Sequence, residues 1–134
     1  MSYKLSKTEY NNTIKFNADG RYEYFVKKAT KGLEIFIAVT SDNEPLLEQI
    51  EEDGNDIAVL PIWCHEDFVN NYINKKNLEG YKVQPITLAK FLEIWIPQLS
   101  QSNIEFAVFP LAFNTDTNII CGEDLLENFN ETIE

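Results

Sequence analysis

Trp63-Cys64-His65 is the triplet in this chain closest to covalent chemistry, because it sets a thiol beside an imidazole. A Cys/His hydrolase needs an imidazole to take the thiol proton, a group that orients that base, and an oxyanion hole. Neighbouring side chains on a strand point to opposite faces, so Cys64 and His65 do not form that pair with each other. Cys121 with His65 requires two strand ends to converge, and no Gly-rich nucleophile turn accompanies either cysteine. The expected roles are therefore buried structural cysteines and a histidine that caps a helix or lies at the surface.

Metal chemistry is equally thin. Zinc takes three or four N/S ligands, whereas the chain offers Cys64, Cys121 and a single His, with no ligand spacing. Asp42, Glu44, Glu48, Glu51, Glu52, Asp53 and Asp56 invite a calcium reading. They lack the alternating acidic loop, central Gly and terminal Glu of that site. A solvated hairpin tip, whose charges discourage edge pairing, is the simpler expectation. Walker, dinucleotide, nucleophile-elbow and H-E-x-x-H motifs are all absent, and five glycines leave little for a phosphate-cradling loop. Pairing of any two of the 22 acids for glycosidase chemistry depends on the fold, which spacing does not reveal. No catalytic residue, metal or cofactor is assigned.

Charge is laid down in blocks. Residues 1–31 carry seven Lys/Arg against three acids, and 32–74 carry none against ten. Residues 75–90 return to four against one, and 91–134 hold none against eight, for a net charge of −11. A pI near 4.5 opposes phosphate-backbone binding, so nucleic acid is not an expected partner. The acidic blocks keep the surface self-repelling, or they dock a basic protein.

A length of 134 residues with 44% hydrophobic content fits one domain spanning 1–134, large enough for its own core. Two distant cysteines make no disulfide framework, which fits a reducing cytosol. The N-terminus has no signal pattern, and the longest apolar run, 106–113, is broken by Pro110, so no membrane association is expected.

The elements that must position these residues follow from periodicity and caps. Ser6-x-x-Glu9 opens a short helix to about Phe16, and Asp19-Gly20 punctuates before a second helix to about Thr30. Tyr22, Phe25, Val26 and Ala29 form its apolar stripe, and Gly32 ends it. Leu33–Thr40 and Ile57–Cys64 read as strands, with Pro61 marking a bulge or a strand edge. For Pro45–Asp53 local rules favour a helix, while an Asp53-Gly54 turn would make it a strand. His65–Lys76 is helical and Tyr81–Ile86 a strand. Thr87 caps a helix with Leu88, Phe91, Leu92, Trp95, Ile96 and Leu99 inward, which Pro97 should kink or end near Ile96. Strands Ile104–Phe109 and Asn118–Cys121 join through Asn114–Thr117, and helix Gly122–Ile133 closes the chain. The order α-α-β-β-β-α-β-α-β-β-α, with hairpins, gives an α+β fold of one mixed, largely antiparallel sheet against helices.

Arg21–Phe25, Leu60–Trp63 followed by His65, Gly80-Tyr81, Phe91–Pro97 and Phe106–Pro110 occur in an order that resembles the bacterial family called domain of unknown function 2750. The resemblance covers roughly residues 20–130 and implies that Leu46–Glu52 is a strand. It brings no activity, catalytic residue or cofactor. Cys64 stands where the family pattern leads one to expect Pro, so the resemblance lends no support to a Cys64 nucleophile.

Two functions remain. The first is a non-catalytic cytosolic domain that docks a basic protein through Glu51, Glu52, Asp53 and Asp56 of a hairpin and Glu127 and Glu131 of the last helix. There Glu127 and Glu131 form a repulsive i, i+4 pair, unless the basic N-terminal helix lies alongside. The second is a small-molecule site or minor enzyme with a pocket at the Trp63–His65 strand end, near Tyr81.

Overall fold

Ser6 opens the first helix, α1 (Lys7–Thr13), by accepting from the Glu9 amide at 3.0 Å. The Glu9 carboxylate accepts from the Tyr24 hydroxyl and pairs with Lys28 at 3.5 Å, which ties α1 to the next helix. That helix, α2 (Ala18–Gly32), is capped by Asn17, so Asp19-Gly20 lies in its first turn rather than ahead of it. Phe25, Val26 and Ala29 are buried as the stripe predicts. Gly32 is the last helical residue, and the left-handed cap falls on Leu33, at φ 61°. The computed structural model describes residues 5–112 and 116–133, apart from the side chains of Glu52 and Ile133.

The sheet comes in two parts. β1 (Glu34–Thr40) pairs antiparallel with β4 (Tyr81–Thr87), from Glu34↔Thr87 to Thr40↔Tyr81. The other part holds β2 (Glu48–Glu52), β3 (Asn55–Ile62), β5 (Glu105–Val108) and β6 (Asn118–Ile120), in that order. β3 and β5 are parallel, and the flanking pairs are antiparallel. The α+β class and the element order stand as expected, but the single sheet is divided.

Pro61 explains the division. The β2–β3 ladder ends at Glu48↔Val59, so Pro61 pairs with Ala107 on one side and needs no donor on the other. Two residues on, Trp63 exchanges both main-chain bonds with Phe36 of β1, at 2.8 and 2.9 Å. The chain thus leaves one sheet and joins the next across a proline.

β2 is a strand despite its helix-like local signals. Leu46 donates to the Ala38 carbonyl at 2.8 Å and Pro45 bridges to Val39, which stitches the segment to β1. Asp53 at φ 53° and Gly54 at φ 82° then make the doubly left-handed turn that suits a tight hairpin. Of the expected Asn114–Thr117 connection, Asn114 and Thr115 lie outside the described residues, and β5 and β6 do pair as a hairpin.

α3 (Glu66–Lys75) starts at His65, whose Nδ1 accepts from the Asp67 amide at 3.1 Å. Thr87 caps α4 (Leu88–Lys90), which widens into a π-helical turn over Phe91–Trp95 and continues as α5 (Ile96–Gln101). Pro97 therefore does not end the helix. Its missing N–H is absorbed by the wider turn just ahead, where Ile96 donates to the Phe91 carbonyl five residues back. α6 (Gly122–Ile133) packs against α2 and α5, with Leu125 and Phe129 fully buried.

Arg21, the only arginine, is fully buried. Its Nε donates to the Phe109 carbonyl at 3.0 Å, Nη1 to Phe16 at 2.7 Å, and Nη2 to the Asp116 carbonyl. Phe109 itself has a left-handed backbone at φ 55°. The guanidinium fork thus pins the turn after β5 to the start of α2. Burial pulls its pKa below the ordinary arginine value, against the field of Asp116.

Candidate functional site

Strand alternation builds a groove on one face of the four-stranded sheet. Glu48 and Ile50 of β2, Val59 of β3, Ala107 of β5 and Ile119 of β6 line it. One wall is Tyr72 of α3 and Lys76, four residues on at the helix C-cap, and the other runs from Pro110 to Ala112. The enclosed volume is about 370 Å³.

A hydrogen-bonded polar cluster sits on the first wall. The Tyr72 hydroxyl lies 2.9 and 2.8 Å from the two Glu48 carboxylate oxygens and donates to that carboxylate. Lys76 Nζ donates to the Tyr72 hydroxyl at 3.0 Å and reaches Glu48 at 3.4 Å. Burial, then the hydrogen bond and charge of Glu48, push the Tyr72 phenol far above its ordinary pKa. Tyr72 therefore stays a donor and supplies no base or nucleophile. The arrangement is an apolar floor with a few fixed polar groups at its side.

Trp63 backs this groove instead of lining it. Its ring lies 5.0 Å from that of Tyr72, and its Nε1 donates to the Pro110 carbonyl at 3.0 Å. Trp63 is fully buried and His65 nearly so, packed between Phe36 and Phe68. The pocket expected at the Trp63–His65 strand end is thus filled, and the concavity lies one layer out. Tyr81 does not join it. It pairs with Thr40, four residues along β1 from Trp63's partner Phe36, roughly 13 Å at strand rise. Cys64 is buried and Cys121 half-buried. Among the described residues no three His, Cys, Asp or Glu side chains converge as a metal site, and no helix is long and apolar enough to cross a membrane.

The hairpin acids flank the groove at the sheet edge. Glu51 stands directly opposite Asp56, both exposed, with Asp53 in the turn beyond them. The Glu52 side chain lies outside the described residues. Among the described residues, lysine salt bridges engage Glu9 and Glu48, and none engages Glu51, Asp53 or Asp56. Glu127 and Glu131 are exposed on α6, which follows β6 at the opposite edge of the sheet. The two acidic sets form separate patches. α6 does lie along the basic helix α2, where Asn128 bonds the Tyr22 hydroxyl. Burial raises the Tyr22 pKa first, with a smaller push from Asp124 and Glu131.

Tyr72, Lys76 and Ile50 were not singled out as site residues from the sequence, and Glu48 entered only as one acid of a charged stretch. The i, i+4 spacing of Tyr72 and Lys76 was visible, but it reads equally as an ordinary helix face. A shallower, larger depression of about 750 Å³ at Leu33, Leu88 and Leu92 is bordered by Glu34 and Glu93. The smaller groove is the better candidate because it joins a polar cluster to the acidic hairpin.

No curated protein matches the chain. The model of the family described as "Protein of unknown function (DUF2750)" matches residues 22–129, which span both parts of the sheet, α3 and most of α6. The match covers most of the chain, and this protein belongs to that family.

Proposed function

We propose that this chain is a non-catalytic cytosolic binding domain that docks a basic protein on its β2–β3 hairpin. The observation that carries the reading is the exposed, directly opposed Glu51–Asp56 pair. Like charges opposite one another weaken a sheet by about 0.2–1 kcal/mol. A cation supplied by a partner turns that repulsion into attraction. The net charge of −11 also speeds encounter with a basic surface.

The test is affinity purification of the tagged chain from its native host at low salt, beside a Glu51→Lys/Asp56→Lys variant. The double reversal keeps a like-charge pair across the hairpin, so its folding cost is nearly unchanged. A basic protein retained by the parent chain, released by salt and lost from the variant, is the expected result. Equal retention by both chains refutes the reading. The groove backed by Trp63 favours a second reading, a small-molecule ligand. In that case a metabolite mixture raises Tm, and Ile50→Lys abolishes the rise.

A further inference from the structure

We infer that the partner enters as an extended segment of alternating basic and apolar residues, added as a strand to the free edge of β2. The inference rests on the docking reading above and names its mode. β2 ends its sheet, so among the described residues one side of Glu48–Glu52 has no strand neighbour. Main-chain N–H and C=O groups on such an edge are a template for another chain.

The side chains on this edge specify what that chain carries. By strand alternation Ile50 shares the groove row with position 52 and with Glu48, which Tyr72 and Lys76 already engage, whereas Glu51 falls in the opposite row with Asp56 and also borders the groove at the edge. A strand laid against β2 sets its alternate residues in line with these two rows. Apolar residues in one row extend the groove floor past Ile50. Lys or Arg in the other row meet Glu51 and reach across it towards Asp56. A second copy of this chain does not fit, because edge-to-edge pairing of β2 with β2 sets acids against acids. A basic helix leaves the edge groups unpaired and makes no use of the two-row pattern.

The probe is a peptide of roughly nine alternating Lys and Val residues, a usual strand length. Two isomers carry N-methyl groups on every Lys or on every Val. Along a strand, residues whose side chains share a face also point their N–H groups to one edge. Only one isomer therefore blocks pairing with β2. Calorimetry with the full chain at low salt is expected to show the parent peptide binding. One isomer should bind at least tenfold more weakly, about 1.4 kcal/mol, while the other binds as the parent does. Equal binding of both isomers overturns strand addition. If that binding is also lost with Glu51→Lys/Asp56→Lys, basic docking itself survives. A parent peptide that does not bind overturns the strand mode as well. The host purification then decides whether the docking reading falls with it.

Discussion

Replacing Arg21 should separate fork geometry from charge as the reason for its burial. Arg21→Met leaves the carbonyls of Phe16, Phe109 and Asp116 without their donor. At about 1–3 kcal/mol for each orphaned acceptor the loss is large. Relief of a buried cation returns several kcal/mol of it. A net destabilisation of about 3 kcal/mol is expected, near 10 °C in Tm for a chain of this size. Arg21→Lys keeps the charge but gathers its donors on one nitrogen, which cannot reach three carbonyls held around a planar fork. It should therefore be at least as damaging as Arg21→Met. Urea unfolding followed by tryptophan emission reads both variants, since Trp63 is fully buried in the folded chain. Arg21→Lys within about 1 kcal/mol of the parent chain would refute the argument, because charge alone would then suffice.

Leu33 holds a left-handed backbone at φ 61° and is exposed. Relief of about 1–2 kcal/mol, less the extra chain entropy of glycine, makes Leu33→Gly stabilising by about 0.5–1 kcal/mol in urea unfolding. A methyl group on Gly122 would lie 2.8 Å from Ile96 Cγ2 and closer still to Ser100 Oγ. Gly122→Ala should therefore cost about 1–3 kcal/mol and loosen α6 from α5, seen as faster hydrogen exchange in α6. The Glu9 carboxyl is held below the ordinary 4.5 by the Tyr24 hydroxyl first and by Lys28 next, against desolvation. Its folded pKa is the lower one, so its contribution is full above pH 4.5 and is lost as pH falls through the folded value. Glu9→Gln should flatten that part of the acid limb of stability, and identical pH profiles would contradict the assignment.

Much of the fold was legible because local chemistry and tertiary packing agree. Ser6 and Thr87 cap where their spacing predicts, and the stripe on α2 faces the core. Legibility failed where contacts distant in sequence decide. Pro45–Asp53 carries helix signals, yet its bonds to β1 and its left-handed turn make it a strand, as the family resemblance implied. Arg21 counts as part of a basic N-terminal block in the sequence, whereas the fold buries it away from any surface patch. The groove was illegible for the same reason. Glu48 meets Tyr72 and Lys76 only because α3, packed on β1 and β4, brings these two residues beside β2, and no spacing rule links a strand acid to a helix phenol. Trp63 lies in the core, while the pocket drawn beside it belongs to its neighbours.

The exchange between Phe36 and Trp63 bears on how the chain reaches its native state. Glu34 pairs with Thr87 and Val59 with Glu105, so most of the pairing closes long stretches of chain before any of it is rewarded. Such topologies fold slowly, and the β2–β3 hairpin is the piece able to form early from local contacts. Residues 61–63 then clasp both parts of the sheet, so neither can open without exposing the other. The amides of Phe36 and Trp63 should accordingly exchange only through global unfolding and rank among the slowest in the protein.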